Sequence, residues 1–182
     1  MPNDRIVGVI ESERLILRPI APGDVELLVD LDSDPEVMRY LTGRPSTRRE
    51  VEAVLGDRLD CRWIAAERVS GLFVGWFDLV PAEDSSFDVG YRLRREWWGR
   101  GFATEGTMLL IDVAFTVLGA RRVTAQTMAV NNRSRAVMER CGMHHTRTYH
   151  LEWNHPLPGT EEGEVEYVIR RDDWQGTQAV DG

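Results

Sequence analysis

The sequence predicts an α/β protein in which helices cover a mixed β-sheet. Helix-patterned runs, with apolar residues every three or four positions, alternate with short β-like runs along the chain. One short strand, 87–93, ends in a glycine-rich turn that leads directly into a helix over 104–118. Two further β-like runs, 63–66 and 72–80, flank a hairpin-like turn, which predicts antiparallel neighbours in the same sheet.

The first third of the chain predicts one strand and three short helices. Residues 14–20 form a β-like run that is ended by a proline. Each of the three helices that follow has a start signal: Asp24, Asp34 with Pro35 beside it, and Thr47 with Glu50 three residues later. The apolar spacing carries these helices through Leu31, Leu41 and Leu55.

The second half of the chain continues the alternation. It predicts the helix over 104–118 ended by Gly119, a strand over 122–129, a helix over 131–141 ended by Gly142, and strands over 149–153 and 165–169. Residues 175–182 are expected to form a frayed tail. Because no repeat or long linker divides the chain, we expect a single domain over residues 1–182.

Composition narrows the function classes. The 182 residues suffice for one domain with a sizeable core, and 42% hydrophobic residues are ordinary for a globular protein. The net charge of −8 argues against general nucleic-acid binding and fits a cationic or amine substrate better. No apolar run approaches membrane-spanning length, and no signal-peptide core is present. Since Cys61 and Cys141 match no metal or redox spacing, a reduced, cytoplasmic protein is the simplest interpretation.

The most informative stretch is Glu96–Gly106, where the predicted strand meets the helix. Glycines let a backbone approach a ligand, and a helix start offers free N–H groups and the positive end of the helix dipole. The stretch therefore predicts a phosphate-binding site, with a simple tight turn at Gly99 and Gly101 as the alternative. A P-loop is disfavoured because no Gly-Lys-Ser/Thr follows, and a Rossmann site because Gly-x-Gly-x-x-Gly is absent.

Four segments, in this order, resemble the GNAT superfamily of N-acetyltransferases, in its RimJ/RimL-like branch. They are Leu15–Pro19, Asp88–Leu93, Trp98–Glu105, and Asn131–Ser134 with Glu139–Met143. Together they indicate a core over about residues 12–174. The resemblance implies a mixed, mostly antiparallel central sheet with flanking helices, splayed open where acetyl-CoA binds as co-substrate.

The resemblance also implies which residues bind acetyl-CoA. The family signature Gln/Arg-x-x-Gly-x-Gly/Ala falls on Trp98–Ala103, with Trp98 in place of the polar residue. The backbone N–H groups of this turn are expected to bind the pyrophosphate, and the backbone of Tyr91 and Leu93 to pair with the pantetheine arm. The complete expected set is Tyr91, Leu93, Trp98, Gly99, Arg100, Gly101, Phe102, Ala103, Thr104, Asn131 and Ser134.

The catalytic groups are open to more than one assignment. Amine acetylation needs a neutral amine, a polarised thioester and a proton for the leaving thiolate. Many family members use a tyrosine acid at the position of Met138, so the resemblance points instead to Ser134, whose alternative role is a helix cap. The resemblance offers two positions for the general base, Asp88 and Glu152, and either is otherwise an ordinary exposed carboxylate.

We therefore expect an acetyl-CoA-dependent N-acetyltransferase that works by direct attack of a primary amine on the thioester. The acceptor is a small molecule or a protein N-terminus. A CoA-binding sensor or interaction module without catalysis is the alternative, which Met138 keeps open. The four histidines fit no zinc spacing, so no metal is expected. Acetyl-CoA and an amine are the expected partners, without nucleic acid or membrane, and homodimers are common in this branch.

Overall fold

A computed structural model describes residues 8–174 and contains one eight-stranded sheet. The strands are β1 (Ile10–Glu11), β2 (Leu15–Pro19), β3 (Arg62–Glu67), β4 (Phe73–Pro81), β5 (Ser86–Leu93), β6 (Arg122–Met128), β7 (His144–Tyr149) and β8 (Glu164–Arg170). Their order is β1-β2-β3-β4-β5-β6-β8-β7, and all neighbours are antiparallel except β5 and β6. The mixed, mostly antiparallel sheet is thus confirmed, while the expected tail over 175–182 lies outside the described residues.

Within residues 8–174, five α-helices cover the sheet. They are α1 (Val25–Asp32), α2 (Pro35–Met38), α3 (Arg48–Gly56), α4 (Phe102–Thr116) and α5 (Asn132–Arg140). Alternate residues of β3 and β4 face two different cores: Trp63 and Phe77 pack with α4 and α5, whereas Ile64 and Trp76 pack with α1 and α3. The helices therefore form two layers on opposite faces of the sheet.

Two of the three predicted helix starts are correct. The Thr47 hydroxyl accepts from the Glu50 N–H while the Glu50 carboxylate accepts from the Thr47 N–H, and Asp34 accepts from the N–H of Glu36. Asp24 occupies the residue before α1 but caps none of its N–H groups. Its carboxylate instead accepts from the Ala21 N–H and from the Arg18 guanidinium, at 2.8 and 2.6 Å.

Three differences from prediction are larger than a shift of one or two residues at the end of an element. The predicted strand over 149–153 is wrong, because β7 ends at Tyr149. This edge strand pairs only with β8 and its side chains are mostly exposed, so it lacks the apolar alternation that marks a strand. The helix at Pro35 ends at Met38 rather than 41, where the Met38 carbonyl accepts from the N–H of Gly43, a residue with φ of +68°. The two-residue strand β1 was not predicted.

Candidate active site

The glycine-rich turn, residues 98–101, connects β5 to α4 through one short 3-10 turn at 95–97. Gly99 and Gly101 have φ of +71° and +83°, which L side chains rarely adopt, and Gly101 is the residue before the first turn of α4. A Cβ at Gly99 would meet no atom within 4 Å. The first N–H groups of α4 have no acceptor within the helix, so turn and helix start together present donors to open space.

The turn is held in place by the first hairpin of the sheet. The Glu105 carboxylate accepts from Ser12 Oγ at 2.7 Å, from the Arg14 N–H at 2.8 Å and from Arg14 Nε at 2.7 Å. Arg14 Nη1 in turn donates to the carbonyl of Arg100 at 2.9 Å. Burial acts to raise the pKa of Glu105, but the hydrogen bonds from Ser12 and Arg14 outweigh it and lower the pKa. No local pattern indicates a role for Arg14, which lies 91 residues from Glu105.

Three aromatic residues fix the surroundings of the turn. The Trp98 indole N–H donates to the carbonyl of Leu93 at 2.9 Å, so the residue that departs from the family signature ties the turn back to β5. Phe102 is buried in the core, which leaves only its backbone N–H to meet a ligand. The guanidinium of Arg100 lies 4.6 Å from the centre of a Trp97 ring, and that of Arg133 lies 5.0 Å from a Trp98 ring. Two positive charges therefore flank the turn.

A slot opens between β5 and β6. The two strands pair in parallel only over Ser86–Asp88 and Arg122–Thr124, and beyond that point the rest of β5 pairs with β4 alone. The edge of β5 over 89–93 thus faces β6 without a strand-to-strand ladder. Its free N–H and C=O groups are suited to pairing with an extended amide-containing ligand. The splayed sheet predicted from the sequence is confirmed.

The far wall of the slot is the start of α5. The Asn131 side chain donates to Thr127 Oγ1 at 3.0 Å and accepts from the Ser134 N–H at 3.3 Å, so Asn131 caps the helix. The Ser134 hydroxyl lies 3.3 Å from the hydroxyl of Tyr91 on β5. Burial is the main cause that raises the pKa of Tyr91 to about 12. A neutral phenol therefore bridges the two walls of the slot beside Ser134.

The Tyr91 side chain is the functional candidate that the sequence did not reveal, since only its backbone was assigned. Met138, at the family's usual tyrosine position, is 3% exposed and belongs to the core. Cys141 is buried as well, and burial raises the pKa of its thiol to about 12, so it is not a reactive thiolate at neutral pH.

The two carboxylates considered as bases are in different environments. Asp88 lies at the closed end of the slot, opposite Thr124, and its Oδ1 accepts from Thr124 Oγ1 at 2.9 Å. Burial raises the pKa of Asp88 above its usual range. Glu152 lies in the exposed loop after β7 and forms no hydrogen bond or ion pair with any residue of 8–174. Only Asp88 is therefore brought next to the slot by a strand.

The described residues offer no metal site and no membrane span. Within 8–174, no three His, Cys, Asp or Glu side chains are arranged to hold a metal ion. In the same part of the chain, no helix has both the length and the apolar character needed to cross a bilayer.

A mostly antiparallel sheet that opens at a parallel strand pair, beside a glycine-rich helix start, is the architecture of an acetyltransferase. The chain belongs to the GNAT family, since residues 14–144 match the Acetyltransferase (GNAT) domain. It is 36% identical over 183 residues to the FsC-acetyl coenzyme A-N(2)-transacetylase of Aspergillus fumigatus, a match that covers 91% of this chain and 77% of that relative. The predicted enzyme class is thereby confirmed.

Solved structures support the same fold. A GNAT-family acetyltransferase from Bacillus anthracis superposes with a TM-score of 0.78 at 20% identity, covering 91% of this chain and 99% of the other. A spermidine N-acetyltransferase from Vibrio cholerae, solved in complex with CoA and spermine, superposes with a TM-score of 0.74 at 18% identity. That match covers 89% of this chain and 98% of the Vibrio protein.

Proposed function

We propose that the protein is an acetyl-CoA-dependent N-acetyltransferase of the RimJ/RimL-like branch, folded as one domain. It acetylates a primary amine of a small molecule or a protein N-terminus by direct attack on the thioester. The observation that carries the proposal is the meeting of two features: the glycine-rich turn follows the end of the same strand, β5, that lines the open slot. The name of the Aspergillus relative, an acetyl coenzyme A-N(2)-transacetylase, supports both the acetyl donor and an amine acceptor.

The residues of the turn and slot are suited to acetyl-CoA, which supplies the activated acetyl group as a thioester. The N–H groups from Gly99 to Thr104 would bind the pyrophosphate, flanked by the charges of Arg100 and Arg133. Tyr91 and Leu93 would pair through their backbone with the pantetheine amides. The Leu93 carbonyl already accepts from Trp98, and its second lone pair is left for the ligand. Asn131 and Ser134 would line the opposite wall.

Asp88 is the base that the geometry favours. The amine must lose a proton as its nitrogen bonds to the acetyl carbon, and a carboxylate at the closed end of the slot is in the right region to accept that proton. A pKa raised by burial moves Asp88 toward neutral pH, which makes it a stronger base than an exposed aspartate. Glu152 remains the second candidate, on the loop between β7 and β8.

Ser134 supplies the proton for the leaving thiolate when the carbon–sulfur bond breaks, and it regains a proton from solvent while Asp88 releases the proton of the amine to solvent. If the Tyr91 hydroxyl donates its hydrogen bond to Ser134 Oγ, the proton of Ser134 is free to point at the sulfur. Tyr91, with a pKa of about 12, keeps its own proton at neutral pH and acts by orienting Ser134. Ser134 and Tyr91 together thus perform the acid role that Met138, which has no proton to donate, cannot perform.

Thiol release from acetyl-CoA tests the proposal against the sensor alternative, which Met138 supports. The acceptor panel would contain polyamines, aminoglycosides and N-terminal peptides. Amine-dependent release of CoA thiol supports the enzyme. Tight CoA binding without turnover on any acceptor would instead favour the sensor. The cytoplasmic location and a homodimer stay predictions from the sequence.

A further inference from the structure

The acceptor must approach the slot from the face of the sheet that α4 and α5 leave open. On this face, α1 and α3 pack on residues of β3 and β4, such as Ile64 and Trp76, and α1 also pairs with Arg92 of β5 through Asp32. On β6 and β8, the residues that pack with α4 and α5 are the alternate ones, including Ala125 and Tyr167. Their neighbours in sequence therefore point to the other side, which we call the open face. Thr124, Gln126 and Glu166 are partly or fully exposed there, whereas Met128 and Glu164 are buried at one end of it.

Two loops border the open face and meet each other. The segment after α2 contacts the loop between β7 and β8, residues 150–163, and a Cβ at Gly43 would lie 2.4 Å from Cδ2 of Leu157. The loop over 150–163 thus borders the open face, which is exposed at Gln126, beside the closed end of the slot at Asp88.

Glu164 is the unusual group on this face. Only 8% of the residue is exposed, and its Oε1 has no hydrogen-bond partner within residues 8–174. It stands opposite Tyr149 on β7 and opposite Met128 on β6. Burial raises the pKa of Glu164. An unpaired buried carboxylate is costly, so its retention points to a ligand that supplies the missing partner.

The neighbouring charges show why Glu164 differs from the other carboxylates. Glu166, on the same face of β8, is paired with Arg147 at 2.8 Å. The Tyr149 hydroxyl reaches across β8 and donates to Gln126. Burial raises the pKa of Tyr149, and the negative charges of Glu164, Glu166 and Asp88 raise it further, although Arg147 opposes them. Three carboxylates and one guanidinium thus act on one phenol, and negative charge predominates on this part of the open face.

We propose that Glu164 binds a second, protonated amino group of the acceptor, and that the acceptor is a diamine or longer polyamine. The inference rests on the proposed function, because it takes Asp88 as the place where the other amine reacts. Asp88 and Glu164 lie on the two strands that flank β6. Since Thr124, opposite Asp88, and Met128, opposite Glu164, are four residues apart, the two carboxylate residues are about 13 Å apart along β6 and about 10 Å apart across it, or roughly 16 Å between their Cα atoms. Since both carboxylate side chains can lean inward, an extended spacer of about four to ten methylenes fits between them.

The test compares diamines with n-alkylamines of the same length, at matched amine concentration, by release of CoA thiol. In the wild type, we expect the diamine with the best spacer to have a kcat/KM at least about tenfold above that of its monoamine. In Glu164→Gln, which keeps the shape and removes the charge, this ratio should fall to about one. Glu162→Gln is the matched control: it removes one carboxylate from the exposed loop two residues away and should leave the ratio unchanged.

The outcomes separate this inference from the proposed function. If monoamines and diamines are acetylated equally well by the wild type, or if Glu164→Gln keeps the preference for diamines, the ammonium site is refuted while the acetyltransferase stands. If no amine releases CoA thiol, both fail. Melting of Glu164→Gln is followed by circular dichroism, and a loss of the ratio in a variant that is still folded at the assay temperature cannot be attributed to unfolding.

Discussion

Adding one methyl group at Gly99 isolates the phosphate-binding role of the turn from its role in the fold. Gly99 is exposed, has φ of +71°, and has no atom within 4 Å of the point where a Cβ would stand. Gly119, just after α4, is also exposed, has φ of +66° and has the same empty surroundings. Alanine at either position adds the same methyl group in the same backbone conformation, but only Gly99 lies in the proposed CoA site.

The two substitutions should cost equal stability. A left-handed conformation costs a non-glycine residue about 1–2 kcal/mol, which lowers the melting temperature of a domain of this size by roughly 2–8 °C. The two substitutions should, however, differ in their effect on the affinity for CoA. The methyl of Gly99→Ala stands where the pyrophosphate would lie, and losing one charge-assisted hydrogen bond costs about 1.5–3 kcal/mol. The Kd for CoA should therefore rise about 10- to 150-fold in Gly99→Ala and stay unchanged in Gly119→Ala.

Calorimetric titration of CoA into the wild type and both variants measures this difference, with melting followed by circular dichroism. If Gly99→Ala melts like Gly119→Ala but binds CoA within about twofold of the wild type, the turn does not bind the pyrophosphate. If Gly119→Ala loses the same affinity, the loss reflects general strain rather than contact with the ligand.

Three further perturbations test the remaining site residues. Because burial raises the pKa of Asp88, activity should fall as the pH drops through a value above the usual aspartate range, and Asp88→Asn should abolish this acidic limb. If the limb survives in Asp88→Asn and vanishes in Glu152→Gln, the base is Glu152. Tyr91→Phe should lower kcat about tenfold or more with little change in the KM for acetyl-CoA. Ser134→Ala should lower kcat by a similar factor, and a double variant that is no slower than either single variant would confirm that the two hydroxyls act together. Glu105→Gln should lower the melting temperature at neutral pH. Because the folded-state pKa of Glu105 is lowered, the difference in melting temperature between wild type and variant should shrink as the pH falls through that pKa. A difference that stays constant with pH would contradict the ionic contact with the first hairpin.

The parts of the site that the sequence predicted are those encoded by short-range spacing. Two glycines separated by one residue and followed by an amphipathic run specify a turn and a helix start locally, and the structure has both at Gly99 and Gly101. The cap that Asn131 places on Ser134 spans only three residues and was equally accessible.

Contacts between distant segments could not be predicted in this way. The hydroxyls of Tyr91 and Ser134 are 43 residues apart in sequence and meet only because α5 packs over the end of β5. The ion pair between Arg14 and Glu105 depends in the same way on the first hairpin lying beside α4. Strand β7 was placed wrongly for a different reason: its residues are mostly exposed at the sheet edge, so burial left no pattern in the sequence.

Charge is distributed differently at the proposed donor site and at the proposed acceptor site. Guanidinium groups near the open face have carboxylate partners of their own: Arg62 with Asp78 at 2.8 Å, Arg92 with Asp32 at 2.6 Å, and Arg147 with Glu166 at 2.8 Å. Asp88 and Glu164 have no cationic partner within residues 8–174. At the glycine-rich turn the balance is opposite, because backbone N–H groups and two stacked guanidinium groups face outward. Under the proposed function, we therefore expect one end of the slot to attract the phosphates of the donor and the other to attract a cationic amine. A net charge of −8 is compatible with an anionic donor because the attraction is local to the helix start, where the turn and the dipole supply it.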